Sequence, residues 1–330
     1  MNINTNQVSE PKPKATEPSW VSNLKLFWDF ARPFTLVAPA LGFISGGITA
    51  VGSRAHREGI GFLQEIHWLQ DLHYIILGAC MAAILNAASN VLNQVYDLPI
   101  DKFNKPNRPL CTGIISIKAA KIYAAVLYVI ALLFAWMVSP EGRHECFWLV
   151  FIAAVFTYIY SVPPLRTKRL GIIANITIAI PRGVMLKVAG WSAGLTIFLE
   201  EPWYIGLIFG LFLLGATTTK DFADLEGDKK YGCITLPVKY GIKKSAIMIS
   251  SFFIIPWILM PIGAVTGILT GNKIALIILG FILAIWGGYV DYLMLRKPEE
   301  LATDENHISW KHMYRMMFLA QIGFAVAYIL

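Results

Sequence analysis

The chain has 330 residues, of which 56% are hydrophobic and only 15% charged, and its net charge is +7. A soluble domain sits nearer about 45–50% apolar and about 25% charged, and here the apolar residues fall in long blocks, not short alternating strands. An ordinary soluble fold is therefore excluded, and an all-α, polytopic membrane protein is expected. The four cysteines (Cys80, Cys111, Cys146, Cys233) are far apart with no C-x-x-C pair, and the six histidines are scattered. Neither a disulfide framework nor a His- or Cys-based metal site follows from such a pattern. No basic run with interleaved aromatics marks nucleic acid as a partner.

In chain order, residues 1–22 are polar, carry Pro11, Pro13 and Pro18, and lack the pattern of a signal peptide. They are expected to form a flexible tail ahead of a membrane domain over 23–330. Nine hydrophobic segments come next, at about 33–52, 73–96, 119–138, 147–162, 171–193, 203–219, 245–267, 274–296 and 312–330. Most approach the ~20 residues that a spanning helix needs, the fourth being short. With the N-terminus in the cytoplasm, the tail and the stretches around the ends of segments 2, 4, 6 and 8 lie inside. They hold 22 of the 28 Lys and Arg, against Arg54, Arg57, Arg143 and Lys273 outside. That asymmetry predicts an N-in, multi-pass protein of the cell or inner membrane.

Two acidic clusters stand at the ends of segments 2 and 6, and hold five of the nine aspartates. Asn93, Asp97 and Asp101 are spaced i, i+4, i+8. Asp221, Asp224 and Asp228 are spaced i, i+3, i+7. Each set falls on one face of a helix, although Pro99 is expected to kink or end the first. Carboxylates crowded on one stripe repel each other unless a cation lies among them. Mg²⁺ suits such a place, since it takes oxygen ligands from one or two carboxylates and from substrate phosphates. Asp97, Asp101, Asp221, Asp224 and Asp228 are the candidate metal ligands, four of them (all but Asp221) also candidate catalytic groups.

Basic residues flank both clusters and could hold diphosphate oxygens as a C–O bond breaks. Arg108, Lys220 and the run from Tyr158 through Tyr160 to Arg166 and Lys168 are the candidates. Arg182 comes after Pro181 in mid-segment, where a charge is costly, and shares an expected helix face with Asn175. It either lines a cavity, snorkels or pairs structurally. Lys187, nearer the outer end, is expected to snorkel.

The stretches NVLNQVYDLPIDKFNKPNRPL, YSVPPLRTKR and KDFADLEGDKKYG, in this order and spacing, resemble the UbiA superfamily of intramembrane prenyltransferases over most of 25–330. Within it they resemble the branch of homogentisate prenyltransferases, chlorophyll synthases and archaeal-type lipid geranylgeranyltransferases. The resemblance implies about nine transmembrane helices around a central cavity with a cytoplasmic cap. It also implies Mg²⁺-dependent transfer of an isoprenyl chain from its diphosphate to a lipid-soluble acceptor. Asn93 and the five aspartates match the metal–diphosphate motifs, and Arg32 matches a basic position near the substrates. An aromatic quinone precursor is the first expectation for the acceptor, with a glycerol-phosphate lipid as the alternative. A cation-coupled transporter is the rival from another class, but its acids should lie near the bilayer midplane.

Overall fold

The computed structural model describes residues 19–65, 68–304 and 307–330. Residues 1–18 of the expected tail lie outside the described residues, and a helix, Ser19–Phe30, already begins within its last part. Nine long helices come after it among the described residues, here α1 Pro33–Glu58, α2 Trp68–Tyr96, α3 Ile117–Met137, α4 Glu145–Ser161, α5 Ile172–Trp191, α6 Glu200–Ala223, α7 Ile242–Thr266, α8 Lys273–Leu295 and α9 Ile308–Ile329. Seven of them are long and apolar enough to cross a membrane. The exceptions are α4, an apolar helix of 17 residues, and α9, whose 22 residues include Lys311, Arg315 and Gln321.

Small residues set how closely the helices approach. A Cβ on Gly46 of α1 would come within 2.8 Å of the Lys187 carbonyl oxygen, and one on Gly190 of α5 within 2.5 Å of the Phe43 carbonyl. Helices in lipid gain little from apolar burial against each other, so backbone approach of this kind supplies much of the contact. Large side chains fill the bundle elsewhere: Trp257, Phe212, Phe253 and Phe324 are fully buried in one cluster, and Phe43 and Met81 in another.

One end of the bundle is sealed by polar groups. Glu201 at the start of α6 is wholly buried. It accepts from Ser53 (2.7 Å) and Arg57 (3.0 Å) of α1, from Thr270 before α8, and from Tyr328 (2.6 Å) of α9. Arg54 pairs with both Glu65 and Asp71 nearby. Both carboxylate oxygens of Glu201 are used, so this end is a structural knot. The two aspartate clusters lie at the opposite end.

Candidate active site

The backbone at the first cluster breaks and yet keeps register. Helix α2 stops at Tyr96, and a short helix, Leu98–Asn104, starts with Pro99 in its first turn, where a missing N–H costs nothing. Asp97 N–H still donates to the Asn93 carbonyl, and Asp101 N–H to that of Asp97, both at 2.8 Å. The i, i+4 spacing therefore survives the turn. The second cluster behaves alike: Asp224 separates Thr219–Ala223 from Leu225–Lys230, and Asp228 N–H donates to the Asp224 carbonyl at 2.9 Å.

Chain segments distant in sequence meet here. Asp97 accepts from Arg166 at 3.0 Å and from Lys168 at 2.5 Å, Asp101 pairs with Arg108, and Lys105 reaches Asp224 at 3.0 Å. Asn93 donates weakly to Ser161 at 3.5 Å. The two short helices also touch directly. Lys230 lies 4.2 Å above the Phe103 ring, and a Cβ on Gly227 would come within 2.4 Å of the Asn104 side-chain amide, which would have to shift to admit it.

Burial pushes the Asp97 carboxyl up, but the Lys168 ammonium and Arg166 guanidinium outweigh it and hold the group below the usual carboxylate range. Asp101 is pushed up by burial, which its pairing with Arg108 does not fully offset. Burial lifts Asp228 to about 6 despite Lys168 nearby, and its Oδ1 is buried without a hydrogen-bond partner. Asp221, seven residues earlier, is also buried. As a donor set these groups are all oxygen, which fits a hard cation such as Mg²⁺. Among the described residues no three acidic, His or Cys side chains stand close enough to form a ready-made metal site; Asp97, Asp101 and Asp224 direct their oxygens to Lys and Arg instead.

Beneath the clusters lies a cavity of about 320 Å³. Of the residues expected in a site, Arg32, Asn93, Arg182 and Lys220 wall it. Arg182 is exposed to this space and makes no hydrogen bond or ion pair among the described residues, which makes it a cavity residue and not a structural partner. Asn175 departs from the shared face expected for it. The helix passes through a π-turn over Ile180–Met185, and the extra residue per turn rotates the helix faces beyond it. Asn175 consequently faces α6, donating to Thr218 at 2.5 Å.

Two further expectations change. Tyr158 is 53% exposed on the outside of α4 and does not wall the cavity. Tyr160, two residues on, does, and its hydroxyl accepts from Lys220 at 2.9 Å; at helical spacing, two positions cannot share a face. Lys187 does not snorkel either. It is 2% exposed, donates to the Gln321 side chain and lies 4.1 Å over the Phe209 ring. Two partners inside the bundle replace the water that snorkelling would reach.

Sequence reasoning missed a set of amides on α2. Asn86, Asn90 and Gln94 donate to the carbonyls of Thr35, Ala31 and Phe30 at 3.0, 3.1 and 2.9 Å. They hold the segment around Arg32, whose backbone is left-handed at φ 61°. Their i, i+4, i+8 spacing, continuous with the Asn93 motif, was the available signal. A smaller recess of about 50 Å³, lined by Met81, Leu149, Ala153 and Ala189, adjoins the main cavity and shares Asn86, Ser89, Pro181, Arg182 and Leu186, among others, with it.

Comparison with known proteins places this geometry. The sequence model described as the UbiA prenyltransferase family matches residues 60–313. Digeranylgeranylglyceryl phosphate synthase of Methanobrevibacter smithii is 28% identical over 254 residues, which is 76% of this chain and 86% of that relative. A probable homogentisate phytyltransferase 2 of Oryza sativa subsp. japonica is 33% identical over 69% of this chain and 58% of its own length. A solved structure described as digeranylgeranylglyceryl phosphate synthase in membranes aligns with a TM-score of 0.66 and 26% identity over 93% of this chain and 99% of that one. A UbiA homolog from Archaeoglobus fulgidus, bound to GPP and Mg²⁺, shares the fold at a TM-score of 0.64 and 19% identity, over 92% of this chain and 99% of its own.

Proposed function

Since this chain belongs to the UbiA prenyltransferase family and is thereby an integral membrane transferase of prenyl groups, we propose that it moves an isoprenyl chain from its diphosphate to a glycerol-phosphate lipid. The observation that carries the donor half is the meeting of Asp97, Lys168, Arg166, Lys105 and Asp224 directly above the cavity. Digeranylgeranylglyceryl phosphate synthases among the relatives and solved structures support the lipid acceptor over the aromatic one that the sequence first suggested. The plant homogentisate relative keeps an aromatic acceptor as the second reading.

Asp97, Asp101, Asp221, Asp224 and Asp228 would hold Mg²⁺. When bound, it would neutralise diphosphate charge and make that group a better leaving group. Arg108, Arg166, Lys168 and Lys220 are placed to take over diphosphate oxygens, with Arg32, Asn93 and Arg182 along the cavity wall. As the allylic C–O bond breaks, its electron pair leaves on the diphosphate and positive charge develops on C1 of the prenyl chain. An acceptor hydroxyl oxygen then bonds to C1, and its proton passes to a base, for which the motif aspartates are the candidates. The apolar part of the wall, with Ile178, Phe212, Leu213 and Met317, would shield the cation from water that quenches it. Acids at helix ends among Lys and Arg, and not at mid-membrane, argue against the transporter reading.

In the bilayer we place all nine helices as crossings, the N-terminus and both aspartate clusters on the cytoplasmic side, and the short helices after α2 and α6 as the cap. A cysteine introduced at Gly113 should then be labelled only from the cytoplasm and one at Gly271 only from outside; the reverse pattern would refute this orientation. To test the acceptor, purified protein in lipid receives geranylgeranyl diphosphate with either geranylgeranylglyceryl phosphate or homogentisate, and products are read by mass spectrometry. One added prenyl unit on the glycerol lipid is expected. Prenylated homogentisate with the lipid untouched would overturn the proposed acceptor.

A further inference from the structure

The far end of the main cavity is closed by three residues that touch each other. Along α5 the wall runs from Thr177 to Lys187, along α9 from Trp310 to Gln321, and along α6 its member farthest from the aspartate end is Phe209. These last members meet: Lys187 donates to Gln321 and lies 4.1 Å over the ring of Phe209. Lys187 and Gln321 are 2% and 4% exposed, and no carboxylate pairs with Lys187 among the described residues. Beyond them α1 and α5 close on each other through Gly46 and Gly190, whose Cα lies 3.0 Å from where a Gly46 Cβ would be. The smaller recess, which reaches Ala189, borders the cavity toward α2 and α4.

We infer that the Lys187–Gln321 pair is the stop against which the end of the donor's prenyl chain rests, and so fixes the longest chain this enzyme accepts. The inference rests on the reading that the donor's tail occupies this cavity, with its diphosphate at the aspartate end. Ten residues of α5, from Thr177 to Lys187, amount to about 15 Å of helix rise. An isoprene unit has about four main-chain bonds of ~1.5 Å, zigzagging to roughly 4–5 Å, so that depth takes three to four units. A C15 chain fits within it, and a C20 chain, at about 16–20 Å, reaches its end. One more unit would drive an apolar end against an amine and an amide that have exchanged water for each other.

The test compares kcat/KM for C15, C20 and C25 diphosphates in the full-length protein in lipid, for wild type, Lys187→Ala and Gln321→Ala. The second variant keeps the experiment decisive should the first fail to fold. In wild type C20 is expected to be preferred over C25 by at least about tenfold, the scale on which a pocket rejects surplus apolar length. Either variant should raise the C25-to-C20 ratio about tenfold while the C15-to-C20 ratio stays put. A residue that merely braced the bundle would lower all three donors alike, and that result overturns the stop. So would an unchanged ratio in these variants together with a shortened preference in Ala153→Phe, which would place the chain's end in the side recess. Wild type that transfers from none of the three diphosphates would instead fail the donor reading itself.

Discussion

Replacing Asp97 with alanine is expected to cut prenyl transfer by about 10³-fold and to destabilise the protein at the same time. The first effect comes from losing a group that lines the proposed metal–diphosphate seat, where a single preorganised contact is worth about 10²–10³. The second comes from burial. Lys168 and Arg166 have side chains only 11% and 12% exposed, and Asp97 is the carboxylate with which both pair, although Arg166 also donates to the Tyr96 carbonyl. Removing one member of a buried ion pair strands the other, at a cost of about 3–5 kcal/mol. Asp224→Ala supplies the contrast, because its partner Lys105 is 32% exposed and can turn to water. That variant should lose activity comparably while its thermal midpoint moves little. Near wild-type turnover in either variant would remove that aspartate from the site.

Withdrawing divalent metal is the second large effect. Purified protein treated with EDTA and dialysed should fall to background turnover and recover with Mg²⁺ or Mn²⁺. The candidate ligands Asp97, Asp101, Asp221, Asp224 and Asp228 offer oxygen throughout, so a hard cation is the one that fits. A binding readout should agree: Mg²⁺ together with inorganic diphosphate should raise the thermal midpoint of the wild type but not of Asp224→Ala. Full turnover after metal stripping would refute the metal-dependent reading outright.

The positions of the long helices were legible because hydropathy over some twenty residues is a strong, local signal. The aspartate clusters were legible for the opposite reason, as charges that an apolar chain would otherwise avoid. Pairings were not. Lys105 meets Asp224 across 119 residues of sequence, and no local spacing encodes which of several nearby cations does so. Side-chain direction failed wherever helix geometry departed from 3.6 residues per turn, as at the π-turn that parts Asn175 from Arg182. It failed again at Tyr158, where an aromatic next to a motif was read as part of it although Tyr160 faces inward. Lys187 was misjudged because its partner, Gln321, is 134 residues away, and a lysine without a visible partner looks like one seeking the interface.

The amides of Asn86, Asn90 and Gln94 divide the rim of the cavity into a hard side and a soft one. In hydrocarbon a broken hydrogen bond finds no water to replace it, so three donors on backbone carbonyls make the joint between α2 and the Arg32 segment a fixed hinge post. On the other flank of that segment, Phe34 of α1 faces Tyr314 of α9, both exposed, with ring centroids 6.1 Å apart. Parting those rings forfeits dispersion alone, and a lipid tail sliding between them restores it. Of the two contacts that the Arg32 segment makes, the joint with α2 is therefore the costlier to part and the ring contact with α9 the cheaper.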